Sequence, residues 1–238
     1  MIVHSDVKQN TPEWRMLRAG IPTASQFHRI ITPAGKESGQ RDAYMFQLLG
    51  ERITGRPQDD FKFTWAMERG SDLERKAIEY FEFQTDLVTQ PCGFVTDDSE
   101  RWGASPDSLV GANELLECKC PEFSTHLMYL MKEGSSYADY RTQAQGELMV
   151  CEREFLWFLS YHPDLPWSLY RVERDEKYIG LMDKAVRKFA DELDALALRA
   201  KESGWFRRDS IRVPQMSQQA ELVKAMKDSL VALKAREA

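Results

Sequence analysis

The chain has 238 residues, 42% of them hydrophobic and 29% charged, a balance that suits one large globular domain with a real core. Four cysteines at positions 92, 118, 120 and 151 are too few and too irregularly spaced for a disulfide framework or for paired C-x-x-C zinc clips, so reduced thiols are expected. The formal charge of -6 excludes a globally basic nucleic-acid binder; any DNA contact must be confined to a local channel, because screening limits a charge's reach to roughly 8 to 10 Å in physiological salt.

The start, Met1 to Asn10, lacks a signal peptide's basic region and apolar stretch, and no apolar run approaches a membrane span. A cytoplasmic location is expected. Pro12 to Gly20 reads as a short helix opened by proline and closed by glycine. Thr23-Ala-Ser-Gln26 fits a capping box ahead of Phe27, Ile30 and Ile31, which predicts a second helix. Thr32 to Gly39 has the composition of a mobile loop, and helical spacing resumes from Asp42 to Thr54.

Glu68 to Phe83 is again helical, with Leu73, Ala77, Ile78 and Phe81 as its apolar stripe. Four short runs follow: Gly93 to Val95, Arg101 to Ala104, Ser108 to Val110 and Glu114 to Cys120. Their Asp, Ser, Gly and Asn punctuation predicts a strand meander. Ala138 to Glu152 reads as helix, Phe155 to Tyr161 and Ser168 to Glu173 as strands, and Lys177 to Lys201 as a long amphipathic helix. Helices on either side of a central sheet, without repeats, give an α/β or α+β domain over residues 1–204. Residues 205–238 read as an extension that turns basic and broken after Gly204, with an expected amphipathic helix from Gln215 to Glu237 that would dock on the core as a terminal helix rather than serve as a dedicated partner helix.

The chemistry gathers between Ser105-Pro-Asp-Ser-Leu109 and Glu114-Leu-Leu-Glu-Cys-Lys-Cys-Pro121. In an extended strand Leu116, Cys118 and Cys120 face one side and Leu115, Glu117 and Lys119 the other, and the preceding hairpin brings Asp107 beside Glu117. The cysteine side is the expected core side. Two carboxylates and a lysine at strand ends suit a hard divalent ion such as magnesium, which takes oxygen ligands. Lys119 could then orient a water, help deprotonate it, or neutralise charge on a phosphate; a surface Glu–Lys pair is the plain alternative. Glu74 falls on the apolar face of its helix and needs a partner, a metal or a snorkelling position at the margin. Gln143 lies within an apolar stripe with Tyr140, Ala144, Glu147, Leu148 and Cys151, as a satisfied amide or as a contact to a water or phosphate oxygen. Arg18 ahead of the capped start at Thr23-Ala-Ser25 reads as a phosphate pocket or, more plainly, as an ordinary helix cap with a solvated arginine. The four histidines show no ligand spacing.

Six blocks in order carry a resemblance: Trp14 to Ser25, Gly70 to Glu74, Ser105 to Leu109, Leu116 to Pro121, Tyr140 to Gln145 and Val172 to Tyr178. The chain from about Thr11 to Leu196 resembles the lambda exonuclease and YqaJ-like viral recombinase family of the PD-(D/E)xK nuclease superfamily. The resemblance implies a restriction-endonuclease-like core, a central mixed sheet flanked by helices. It also implies a 5'-to-3' exonuclease that digests one strand of linear duplex DNA to 5'-mononucleotides and leaves a 3' overhang. Two magnesium ions, with manganese as a substitute, would sit on Asp107, Glu117, the backbone carbonyl of Cys118 and Glu74. Lys119 and Gln143 would serve the attacking water, and Arg18, Ser25 and Ser105 would receive the terminal 5'-phosphate. The expected partners are duplex DNA ends, two further copies in a ring-shaped homotrimer and a single-strand annealing protein, in a bacterial host carrying a phage or prophage. A restriction-type endonuclease and a non-catalytic end-binding scaffold are the alternatives. Pro22 interrupts the family's Ile-Thr-Ala-Ser run, and where related nucleases often place an aromatic four residues after the glutamine this chain has Glu147 after Gln143, or Met149 after Gln145.

Overall fold

The computed structural model describes residues 1–58, 65–132 and 135–212. The helix expected from Gln215 to Glu237 lies outside the described residues. Helix α1, Pro12–Arg18, starts with proline under a Thr11 side-chain cap, and Gly20, at a φ of 74°, turns the chain after it. The capping box does not form. Ala24–Arg29 is a 3-10 segment whose Thr23 hydroxyl makes no cap bond, because that hydroxyl instead accepts a hydrogen bond from Arg18. The Thr32 to Gly39 stretch closes on itself through Thr32 N–H to the Lys36 carbonyl and Gly35 N–H to the Thr32 carbonyl. Helices α2, Arg41–Thr54, and α3, Trp65–Thr85, follow the expected spacing.

Two sheets replace the single meander. Strands β1 (Ile2–His4), β3 (Phe94–Thr96) and β4 (Gly103–Ala104) form an antiparallel three-stranded sheet. The other five strands are β2 (Thr89–Pro91), β5 (Ser108–Val110), β6 (Glu114–Lys119), β7 (Phe155–Ser160) and β8 (Ser168–Glu173), in spatial order β2-β5-β6-β7-β8. Only β6 and β7 run parallel, from Glu114 opposite Phe155 to Lys119 opposite Ser160. Their connection passes through α4, Phe123–Met131, and α5, Ser135–Val150, as a parallel pair requires. Helix α6, Glu176–Glu202, follows β8.

The large sheet is covered on both faces, which explains the apolar runs in β6 and β7. Leu115, Leu156 and Phe158 join α2, α5 and α6 in the larger core cluster, while Leu116, Cys118 and Leu159 pack with Ala77 and Phe81 of α3 in a second one. The Glu117 side of β6 is therefore as buried as the cysteine side, and the polar residues there emerge from core. Gly146 lets α5 approach the 3-10 segment closely: a Cβ at that position would lie 2.8 Å from the Phe27 ring. After α6, Ser210 Oγ donates to the Ile53 carbonyl at 2.7 Å and the Ile211 N–H to the Arg52 carbonyl at 3.0 Å, so residues up to 212 lie across the end of α2. No helix among the described residues is long and apolar enough to cross a membrane.

Candidate active site

Antiparallel pairing of Ser108 with Leu116 extends the β5–β6 hairpin so that Asp107 falls beside Glu117. Asp107 Oδ2 accepts the Cys118 N–H at 2.6 Å. Glu117, with 2% of its surface exposed, accepts from Lys119 Nζ and, at 2.6 Å, from Gln143 Nε2. Lys119 Nζ also lies 5.0 Å from the centre of the Tyr140 ring, and that ring packs against Phe158. Glu74 reaches the same cluster from α3, half-buried and within electrostatic range of Glu117 and Lys119. The structure thus brings together Asp107, Glu117, Lys119, Gln143 and Glu74.

Sequence reasoning placed Glu147 on the Gln143 face but gave it no role. One helical turn after Gln143, it is 1% exposed and accepts the Gln143 amide through Oε1 at 2.8 Å. Its signal was its place on the same helical face as Gln143, where a carboxylate has no reason to sit without a polar neighbour.

Electrostatics in the cluster are one-sided. Burial raises the Asp107 carboxyl well above the usual carboxylate range; Glu117 and Glu74 add to this, while Lys119 and the Cys118 N–H oppose it. Burial and the charge of Glu117 do the same to Glu147, against the Gln143 hydrogen bond. Glu74 is raised by burial and Glu117. Burial alone would lower Lys119, but Glu117 and Asp107 outweigh it and hold the ammonium charged. The Cys118 thiol is pushed well up by burial and stays protonated, so it offers no thiolate.

Among the described residues no three His, Cys, Asp or Glu side chains already converge on one point as ligands; Lys119 sits paired to Glu117, and Asp107 turns one oxygen to a peptide N–H. The donor chemistry nonetheless fits a hard divalent cation. Carboxylate oxygens predominate, and Glu117 Oε2 and Glu147 Oε2 are buried without hydrogen-bond partners.

A second constellation adjoins the first. Arg18 Nη2 donates to Thr23 Oγ1 and to Ser25 Oγ, both at 3.3 Å, and its guanidinium lies 3.9 Å over the Trp14 ring. Trp14 Nε1 in turn donates to Ser105 Oγ at 3.0 Å and to the Gly93 carbonyl at 3.1 Å. Arg18, Ser25 and Ser105 are therefore linked, with Trp14 and Thr23 as members that sequence reasoning left unassigned. Ser105 is two residues from Asp107, which fixes the corner within about 7 Å of the cluster along the backbone. Gln9 secures this turn by donating to the Pro106 carbonyl at 2.8 Å and to the Cys92 carbonyl at 2.6 Å.

Behind Arg18 the chain is clamped at Gly20. Its N–H donates to Glu51 Oε2 at 2.8 Å, and its carbonyl accepts Arg52 Nε at 2.7 Å. Arg52, almost fully buried, is balanced by Asp194 at 2.7 Å.

The model of the YqaJ-like viral recombinase domain matches residues 13–154, a span that contains every residue of both constellations. The crystal structure of an alkaline exonuclease from Laribacter hongkongensis is 31% identical and covers 82% of this chain and 98% of its own, with a TM-score of 0.72. The same enzyme in complex with dAMP matches equally well. A phage-related exonuclease from Haemophilus somnus, 16% identical over 75% of this chain and 96% of its own with a TM-score of 0.58, shares the fold. No curated protein sequence matches.

Proposed function

Because the chain belongs to the YqaJ-like viral recombinase family, we propose that it is a recombination exonuclease that digests the 5'-ended strand of linear duplex DNA, with Mg2+ as its cofactor. The observation that carries this reading is the adjacency of an oxygen-rich carboxylate cluster holding a lysine to a guanidinium corner lined by hydroxyls. The first suits phosphodiester hydrolysis and the second suits a terminal phosphate. The Laribacter enzyme's complex with dAMP, a nucleoside monophosphate, is in keeping with release of mononucleotides.

Asp107, Glu117, Glu74 and the Cys118 carbonyl would hold two divalent ions. Bound there, they would supply Lewis-acid chemistry, lowering the pKa of a water and offsetting charge on the leaving 3'-oxygen. Lys119 supplies a fixed positive charge beside Glu117, placed to orient the attacking water or to offset charge gathering on the phosphate. Gln143 orients that water from α5. Arg18, with Ser25 and Ser105, receives the 5'-phosphate through charge-assisted hydrogen bonds and so sets which phosphodiester lies over the cluster. Residues 1–204 form the nuclease unit. The working form is a homotrimeric ring whose basic groups line the channel, and an annealing protein takes up the 3' overhang.

The test is release of acid-soluble nucleotides from linear duplex, comparing 5'-phosphate with 5'-hydroxyl ends and Mg2+ with EDTA. Magnesium-dependent release favouring phosphorylated ends is expected. Cutting of covalently closed circular duplex would instead identify an endonuclease, and end binding without release would identify a scaffold.

A further inference from the structure

Gln143 Nε2 lies 2.6 Å from Glu117 Oε1 and 2.8 Å from Glu147 Oε1. A carboxamide nitrogen carries two hydrogens, and here each has its own acceptor. Reversing the amide would set its carbonyl oxygen against Glu117 Oε1, which already accepts from Lys119 Nζ, so that contact fixes which way the group points and Glu147 Oε1 takes the second hydrogen. With both donors engaged, the function left to Gln143 is acceptance through Oε1. A water can donate to that atom; an unprotonated phosphate oxygen cannot. Glu117 alone would leave one hydrogen unassigned. Glu147 Oε1 can accept from the amide whether the carboxyl group is ionised or carries its proton on Oε2.

We propose that Glu147 is a positioning residue that holds the Gln143 amide with its carbonyl oxygen toward the reaction space, making Gln143 an acceptor for the attacking water rather than a donor to the phosphate. The inference rests on the exonuclease reading for the identity of the water, but the orientation of the amide stands on the geometry alone. Two details support it. Glu147 is sealed from solvent, so competing water does not take its place. Gly146, pressed against Phe27, fixes the height of this turn of α5.

The experiment uses the full chain and the variants E147L, E147Q, Q143A and Q143A/E147L. Turnover on linear duplex is read beside the hydrogen exchange of the Gln143 side-chain amide by 15N NMR. E147L is expected to lower kcat roughly 10- to 100-fold, the size associated with lost supporting hydrogen bonds, with KM unchanged. It should also speed exchange of one of the two Gln143 amide protons. E147Q, which keeps an acceptor oxygen but no charge, should restore most of the lost turnover and the slow exchange. In the Q143A background E147L should cause no further loss. Equal losses in E147L and E147Q, or a full further loss in the double variant, overturn the proposal, because Glu147 would then act by its charge or independently of Gln143. Unaltered amide exchange in E147L overturns it as well. Should the wild-type chain release no nucleotide with Mg2+, the exonuclease reading falls, and the exchange data on the folded chain still decide whether Glu147 fixes the amide.

Discussion

The carboxylate cluster and the Arg18 corner are two residues apart along the chain at Asp107 and Ser105, yet they are held in opposite ways. In the cluster, Asp107, Glu117, Glu74 and Glu147 crowd around one ammonium, and two buried carboxyl oxygens lack partners. In the corner, Arg18 is stacked and hydrogen-bonded, and the loop behind it is clamped at Gly20 by a buried, balanced Arg52. The cluster gains most when a cation enters it, since charge buried without a counterion is costly. The corner is complete before its ligand arrives. One site is therefore tuned by what it lacks and the other by what surrounds it.

The contrast can be broken most sharply at Asp107. D107N should lose turnover by on the order of a thousandfold, as removal of one preorganised electrostatic group does, while its metal-free melting temperature at neutral pH does not fall. A large drop in melting temperature would mean that the cluster is not strained. R52M should do the reverse: breaking a buried ion pair from one side costs about 3–5 kcal/mol of stability, measurable by urea unfolding. In whatever fraction remains folded, discrimination between phosphorylated and hydroxyl ends should weaken. R18A should raise KM for 5'-phosphorylated ends roughly 10- to 100-fold, the worth of a charge-assisted hydrogen bond of about 1.5–3 kcal/mol, and leave 5'-hydroxyl ends unaffected.

The smallest effect is on pH. The raised carboxyls of Asp107, Glu147 and Glu74 favour their protonated forms in the fold. Their contribution to stability is whole below the ordinary carboxylate range near pH 4 and is lost as pH rises through their raised values. Lys119 does not titrate in that window, since its raised ammonium keeps its contribution beyond the ordinary lysine range. The metal-free melting temperature should thus fall by a few degrees between about pH 4.5 and 8, at about 2–4 °C per kcal/mol for a domain of this size. Saturating Mg2+ should flatten the slope, and a flat metal-free profile would contradict the crowding.

What the sequence disclosed of each region follows the same division. Strand alternation placed Glu117 with Lys119, hairpin length brought in Asp107, and helical counting pointed Glu74 and Gln143 inward. All of these are short-range regularities. The corner depends on contacts that no local pattern encodes: Glu51 and Arg52 meet Gly20 across 31 and 32 residues, and Trp14 meets Ser105 across 91. The same blindness produced the failed capping box, because Thr23 has its hydroxyl turned to Arg18 by tertiary packing rather than to its own helix. Strands β1, at the very start of the chain, and β2, which ends in Pro91, lack the turn residues on both sides that exposed the equally short β3, β4 and β5. Helix α4 escaped notice because Phe123, Leu127 and Met131 remain exposed opposite the buried His126 and Tyr129, which blurs its polar face. The split of the meander into two sheets was equally hidden, since β3 takes its partner from the amino terminus.

The segment that crosses the end of α2 bears on how the protein is handled at the bench. Arg212 donates to the carbonyl of Leu17, the residue before Arg18. The described fold therefore ends beside the doorway assigned to the DNA end, whereas the amino terminus, paired with Asp98 at the rim of the small sheet, provides a separate attachment point for tethering the protein to a surface.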